Sequence, residues 1–192
     1  MTTSVYVRRY INTLSDCEVF TTRDLLHLGS RASIDLALVK LVKKGGILRL
    51  ARGVFQHGDE SCPRPSPAEI ATKKAKAFGK DLATCGDDLL VQLRLSTHDA
   101  ELSSKTFWVN GYSSAFQYGD TRIVLKSVTA RKMNLVKKGG PALSLVALWH
   151  LGKKKVTRLE VSISATYNSH ERQHLKQSLN SVPQWLSDFY LR

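Results

Sequence analysis

The segment His170–His174, HERQH, has the spacing at which two histidines and a glutamate serve a zinc protease. In a helix both imidazoles would lie on one face and could bind one metal ion, with Glu171 as the base. The other residues of the segment are polar, and Asp188 is the only later carboxylate that could be a third ligand. We therefore expect an exposed helix with no metal and no cofactor. A zinc hydrolase using His170 and His174 is the remote alternative.

Other catalytic patterns are scarce in the sequence. It contains no phosphate-binding glycine loop and no GxSxG nucleophile motif. Asp87 and Asp88 are adjacent, so their side chains would point apart and could not share a reacting atom. These observations predict a protein that is not an enzyme.

The three cysteines, Cys17, Cys62 and Cys85, are odd in number and far apart in sequence. We expect neither a disulfide scaffold nor a cysteine-based zinc site, which favours a reducing cytoplasm. The apolar runs are too short to span a membrane, and no secretory signal is evident at the N-terminus. The predicted location is cytoplasmic, without membrane contact.

The charge of the chain is its strongest functional signal. Twenty-nine lysines and arginines face 16 acidic residues, which gives a formal net charge of +13 and a pI near 9.9. Such a balance favours a polyanionic partner, most often nucleic acid. Residues 1–60 have a net charge of +3 and residues 61–192 of +10, so the first part alone cannot account for the excess.

The segment 57–67, HGDESCPRPSP, is the densest break in the chain because its prolines and glycine interrupt regular structure. We predict a DNA-binding domain over residues 1–58, a linker over 59–67 and a mixed α/β domain over 68–192. The fold class is α+β.

The first domain has the element order of a winged helix-turn-helix. A first helix is expected over residues 3–14, and a short second one begins near Thr21 and ends at Gly29. Ser30 can cap a third helix, on which Ile34, Leu38 and Leu41 form an apolar face. Two strands within residues 47–55, joined by a turn at 51–53, would form the wing.

In this arrangement the third helix enters the major groove with its N-terminal residues nearest the bases. Arg31 is the best candidate for a guanine contact, because its planar fork can donate to two acceptors of one base. Lysines further along the helix suit phosphates, and the wing arginines suit the backbone or the minor groove. The predicted DNA contacts are Thr22, Ser30, Arg31, Ser33, Lys40, Lys43, Lys44, Arg49 and Arg52.

The second domain is predicted to begin with a helix capped by Ser66. Strands are expected over residues 106–109, 121–128 and 158–164, and helices over 141–151 and from 169 onward. Its basic residues fall into clusters that either form one continuous surface or are separate solvated faces. The residues proposed for that surface are Lys73, Lys74, Arg131, Lys132, Lys137 and Lys138.

The run FTTRDLLHLGSRASIDLALVKLVKKGGILRLARGVF resembles the winged helix of AbiEi-type antitoxins from type IV toxin–antitoxin systems. The most characteristic pieces are LGSRASID, LVKKG and RLARGVF, and the likeness extends over about residues 18 to 156. PSPAEIATKKAKAFG is similar to the linker helix of that family, and PALSLVALWHLGKKKV to a later helix.

The resemblance implies that the protein represses its own operon by binding repeats in the promoter. It also implies that the C-terminal domain counteracts a cognate toxin of the nucleotidyltransferase class, through direct contact or otherwise. A monomer that binds cooperatively to paired sites would fit these expectations. The alternative is a non-enzymatic interaction module whose basic C-terminal domain binds an acidic protein or RNA.

Overall fold

The computed structural model describes residues 2–84, 86–95, 104–156 and 167–191. It is an α+β protein, as predicted, with helices and two separate sheets. The chain divides into two compact units, of which the first comprises residues 1–82 and 114–124 and the second comprises 83–113 and 125–192. The first unit is therefore discontinuous in sequence.

Seven elements of the first unit follow one another along the chain. They are α1 (Thr3–Ile11), β1 (Val19–Thr21), a 3-10 helix (Thr22–Leu28), α2 (Arg31–Lys43), β2 (Ile47–Ala51), β3 (Val54–His57) and α3 (Pro67–Ala77). The predicted positions of α1, α2 and the β2–β3 hairpin are confirmed. The sequence analysis missed β1, which is only three residues long.

Local polar contacts fix where these helices begin. Asp24 accepts a hydrogen bond of 2.8 Å from the backbone N–H of Thr21, which starts the 3-10 helix with a capping box. The hydroxyl of Ser30 accepts from the N–H of Ser33 at the start of α2. At α3, Ser66 and Glu69 form a second capping box, with Pro67 as the first helical residue.

The sheet of the first unit is antiparallel with strand order β1-β3-β2. Val19 pairs with Gln56 in one ladder, and Ala51 pairs with Val54 at the hairpin end of the other. Gly53 occupies the turn with φ 75°, a conformation that side chains disfavour. The core beneath this sheet joins it to the helices through Val7, Ile11, Phe20, Leu25, Ile34, Leu38, Ile47 and Phe55.

Cys17 and Cys62 form a disulfide with their Cα atoms 5.4 Å apart. The structure therefore contains a disulfide, where the sequence analysis expected no disulfide scaffold. The two residues are 45 positions apart, but the antiparallel sheet brings the start of β1 beside the end of β3. This pair also removes the basis of the argument from cysteine usage to a reducing compartment.

The remaining elements are β4 (Leu82–Thr84), α4 (Gly86–Gln92), β5 (Ser104–Val109), β6 (Ser114–Tyr118), β7 (Thr121–Ser127), α5 (Ala130–Lys138), α6 (Ala142–Leu151), α7 (Ser169–Ser178) and α8 (Gln184–Leu191). The second sheet has the strand order β4-β5-β7-β6. Strands β4 and β6 were not predicted from the sequence. The strand expected over 158–164 lies outside the described residues.

The core of the second unit is built around α6, whose residues from Leu145 to Leu148 are all fully buried. Its apolar character on every side explains this position, since a helix that is hydrophobic all round has to be enclosed. Trp108 of β5, Leu135 of α5 and Leu186 of α8 pack in the same cluster. None of the described helices is long and apolar enough to cross a membrane.

Candidate nucleic-acid interface

Helix α2 has two opposite faces of different character. Ile34, Ala37 and Leu38 are buried against the core of the first unit. The residues on the far side, spaced by three or four positions, are exposed: Ala32, Leu36, Val39, Lys40 and Lys43. The helix thus presents a continuous solvent-facing surface that the fold does not use.

Polar contacts at the start of α2 involve the residues predicted to lie nearest the bases. Ser30 caps the helix, and its hydroxyl donates to the hydroxyl of Ser33 at 2.9 Å. Arg31 Nε donates to both carboxylate oxygens of Asp35, at 2.9 and 3.1 Å. The side chains of Arg31 and Asp35 are 59% and 50% exposed. Arg31 is therefore accessible but already holds a carboxylate.

Five of the predicted cations are exposed and have no ion pair among the described residues. Three follow the exposed side and end of α2, and two lie on the β2–β3 hairpin: Lys40, Lys43, Lys44, Arg49 and Arg52. Only Gly45 and Gly46 separate Lys44 from β2. This arrangement leaves five positive charges available to an external anion.

Thr22 is the exception among the predicted contacts. It is 2% exposed, its backbone N–H donates to the carbonyl of Gly53, and its hydroxyl has no hydrogen-bond partner among the described residues. A buried hydroxyl cannot reach a phosphate, so Thr22 does not belong to the interface. Thr22 instead has a structural role, because its backbone N–H binds the turn of the β2–β3 hairpin.

Two of the three lysines of α3, Lys73 and Lys74, are occupied by contacts within the first unit. Lys73 Nζ lies 3.9 Å from Glu18. Lys74 Nζ donates to the carbonyl of Arg52 at 3.2 Å and lies 3.9 Å from the ring centroid of Phe116. Burial lowers the pKa of Lys74, and the charge of Arg52 lowers it further. Lys74 therefore supports the hairpin turn rather than offering a free charge.

Four other cations of the proposed continuous surface lie on α5, in the second unit. Arg131 and Lys137 are exposed. The ammonium of Lys132 lies 4.6 Å from the ring centroid of Trp108 and 5.2 Å from that of Trp149, a cation–π arrangement. Lys138 lies 3.5 Å from the hydroxyl of Ser178. The six residues thus form two sets in different units, and two of the six, Lys74 and Lys132, are held against aromatic rings.

The HERQH segment lies on α7, in the helix that was expected there. His170 and His174 are exposed, with ring centroids 5.0 Å apart. The carboxylate of Glu171 accepts from the backbone N–H of Asn168 at 2.9 Å and so caps the helix. Within the part of the chain that the structure describes, no group of three metal-binding side chains is found. Glu171 therefore has a structural role at the start of α7.

Sequence reasoning overlooked Leu36 and Val39, which are 63% and 47% exposed on the outer side of α2. The sequence contains a spacing pattern that could have identified them. Ala32, Leu36 and Val39 recur at helical spacing, as a second apolar line opposite the line of Ile34, Leu38 and Leu41. Only one of the two lines can face a single core.

A family model described as a family of unknown function, DUF6088, matches residues 7–175. This range includes all of the interface described above as well as α3 to α6. No curated protein shows a significant match to the sequence. Because the match spans most of the chain, the protein belongs to the DUF6088 family, whose function is unknown.

Proposed function

We propose that this protein is a DNA-binding repressor whose first unit contains a winged helix. The observation that carries the proposal is the set of five cations at α2 and on the β2–β3 hairpin that have no ion pair among the described residues. Like charges repel, so such a row of cations is better explained by an external anion than by folding. Such a row is what a duplex requires, because phosphate contacts provide most of the sequence-independent affinity.

In the proposed complex α2 lies in the major groove. Its first turn, with Ser30, Arg31 and Ser33, is nearest the base edges. Lys40, Lys43 and Lys44 contact phosphates further along, and Arg49 and Arg52 contact the backbone or the minor groove from the wing. The hydrogen bond from Lys74 to the carbonyl of Arg52 supports the position of the wing turn.

The ion pair between Arg31 and Asp35 bears on how a guanine would be read. Arg31 can donate to O6 and N7 of a guanine only with the donors that Asp35 leaves free, or after it releases the carboxylate. Release of Asp35 breaks this ion pair, and only a base with two suitable acceptors replaces the lost hydrogen bonds. The pair therefore favours discrimination over raw affinity.

We extend the proposal to an antitoxin on the strength of the sequence resemblance. The protein would repress its own operon at promoter repeats and counteract a nucleotidyltransferase-type toxin through its C-terminal part. It would act in the cytoplasm by binding, without catalysis of its own. Arg131 of α5 is exposed without an ion pair among the described residues, so it is the cation of the second unit best suited to an acidic partner.

The test of DNA binding is a fluorescence-anisotropy titration with the DNA upstream of the gene and with a scrambled duplex, at several salt concentrations. We expect at least about 10³-fold tighter binding to the upstream DNA and a linear decrease of log affinity with log salt. Arg31→Ala should reduce this preference. Equal, weak binding to both duplexes would contradict the proposal and would direct attention to RNA or an acidic protein.

The antitoxin part is tested separately, by co-expression with the product of the neighbouring gene. Rescue of growth by the wild type, and loss of rescue with Arg131→Glu, is the expected result. Arg131 is preferable to Lys132 for charge reversal because Lys132 contacts two tryptophan rings, so its replacement would disturb packing. Absence of rescue by the wild type would remove the antitoxin function and leave the repressor intact.

A further inference from the structure

The outer side of α2 carries apolar side chains at the place where a DNA-binding helix meets the bases. Leu36 is 63% exposed and Val39 is 47% exposed, and exposed Ala32 lies one turn before Leu36. These residues are on the side of the helix opposite to Ile34 and Leu38. They contribute nothing to the core of the first unit.

The charges around this apolar stripe, defined as Ala32, Leu36 and Val39, indicate what can cover it. Lys40 and Lys43 flank it and have no ion pair among the described residues. Asp35, the one acidic residue of α2, is neutralised by Arg31. A partner for this surface must therefore be anionic overall and apolar at the point of contact.

Duplex DNA satisfies both conditions only where thymines lie in the major groove. An A·T pair presents the C5-methyl group of thymine there, whereas a G·C pair presents no methyl group. Apolar side chains distinguish the two pairs by burying that methyl group. On this basis we infer that Leu36 and Val39 read thymine methyl groups, so that the site bound by α2 is rich in A·T pairs. The inference rests on the proposed function of α2 in the major groove.

The experiment removes the methyl groups from the DNA and the side chains from the protein. Thymines of the upstream duplex are replaced by deoxyuridine, singly and together, and affinity is measured for the wild type, Leu36→Ala and Val39→Ala. Burial of one methyl group contributes about fourfold in affinity. We expect the wild type to bind about fourfold more weakly for each contacted thymine that is replaced.

The variants decide whether the effect arises from contact or from altered DNA shape. Leu36→Ala should bind the normal duplex more weakly and should lose its sensitivity to the matching deoxyuridine, as in a double-mutant cycle. Val91→Ala is the matched control, because Val91 is 45% exposed on α4. It should keep both the affinity and the deoxyuridine sensitivity of the wild type. Thermal unfolding of each variant should remain close to that of the wild type.

Four results would overturn the inference. If the wild type binds its DNA specifically but is insensitive to deoxyuridine, or if Leu36→Ala remains fully sensitive, the methyl reading is wrong and the repressor proposal stands. If Leu36→Ala changes the sedimentation of the free protein from dimer to monomer, the stripe is covered by a second copy. If no duplex is bound specifically, the proposed function fails and the inference fails with it.

Discussion

Helices α2 and α3 share features at both ends but differ in what their charges contact. Both belong to the first unit, both begin at a capping serine, and both carry lysines in their last turns. On α2 the lysines are exposed without ion pairs among the described residues, whereas on α3 Lys73 contacts Glu18 and Lys74 contacts the hairpin turn. The availability of a lysine is therefore decided by what packs beside its helix, and net charge does not report it.

The largest expected effect comes from removing the Cys17–Cys62 disulfide, which closes a loop that includes α2 but not α3. The Cys17–Cys62 disulfide joins residues 45 positions apart, and a loop of this length restricts the unfolded chain by about 4 kcal/mol. The double variant Cys17→Ser, Cys62→Ser should lower the free energy of unfolding by up to that amount. Urea unfolding in the absence of thiols measures it.

Hydrogen exchange of the same variant compares the local stability of α2 with that of α3. Amides of α2 should exchange faster in the variant, while amides in the first turn of α3, which the Ser66 and Glu69 box holds, should change less. Equal acceleration in both helices would mean that the first unit opens only as a whole. Wild-type protein treated with a reductant should behave as the variant does.

The second prediction compares the lysines of the two helices as DNA contacts. Lys40→Ala, Lys43→Ala should reduce the slope of log affinity against log salt by about 2, because two phosphate contacts are lost. Between 50 and 200 mM salt, the wild type should then lose about tenfold more affinity than this variant. Anisotropy titrations with the upstream duplex measure both quantities.

Lys73→Ala, Lys76→Ala on α3 is the control for this comparison, because it removes the same charge from the neighbouring helix. We expect a slope close to that of the wild type, since Lys73 is paired with Glu18 and neither Lys73 nor Lys76 is among the proposed DNA contacts. An equal change of slope in both double variants would show that DNA responds to total charge and would break the distinction between α2 and α3.

The smallest effect is the pH dependence contributed by Lys74. Burial holds the folded-state pKa of Lys74 below 10.5. Between that lowered pKa and 10.5 the unfolded chain keeps a proton that the folded chain has lost, so the stability contributed by this residue rises with pH. The wild type should therefore gain stability relative to Lys74→Met as the pH rises through this window.

Urea unfolding of both proteins from pH 8 to 10.5 measures the difference. Burial raises the pKa of Tyr10 and of Tyr118, so both proteins lose stability above pH 10, and this loss largely cancels in the comparison. Lys76→Met, which removes an exposed lysine of the same helix, is the reference variant. A constant difference between the wild type and Lys74→Met would mean that Lys74 remains charged throughout.

The parts of the fold that the sequence could predict are those that depend on neighbours along the chain. Ser30 and Ser66 begin helices because their hydroxyls reach an N–H three residues later, and Gly53 allows the hairpin turn. The disulfide depends instead on the pairing of β1 with β3, which no local pattern encodes. The burial of Thr22 depends likewise on the hairpin packed above it.

The residues of the candidate site likewise divide into those that the local sequence predicts and those that depend on distant contacts. The cations of α2 were predictable because helix periodicity separates them from Ile34 and Leu38. The contacts of Lys74 with the Arg52 carbonyl and the Phe116 ring were not predictable, because these partners are 22 and 42 residues away in sequence. The exposed stripe of Leu36 and Val39 was visible in the spacing, but two apolar lines on one helix cannot be assigned to core and surface without the neighbouring elements.

The discontinuity of the first unit limits how this gene can recombine. Residues 114–124 return to that unit, where Tyr118 donates to the carbonyl of Pro65 at 2.6 Å and Phe116 receives Lys74. A crossover near codon 82 would join residues 1–82 of one parent to residues 114–124 of the other. Chimeras between relatives should therefore inherit a functional N-terminal half only when both segments descend from the same parent.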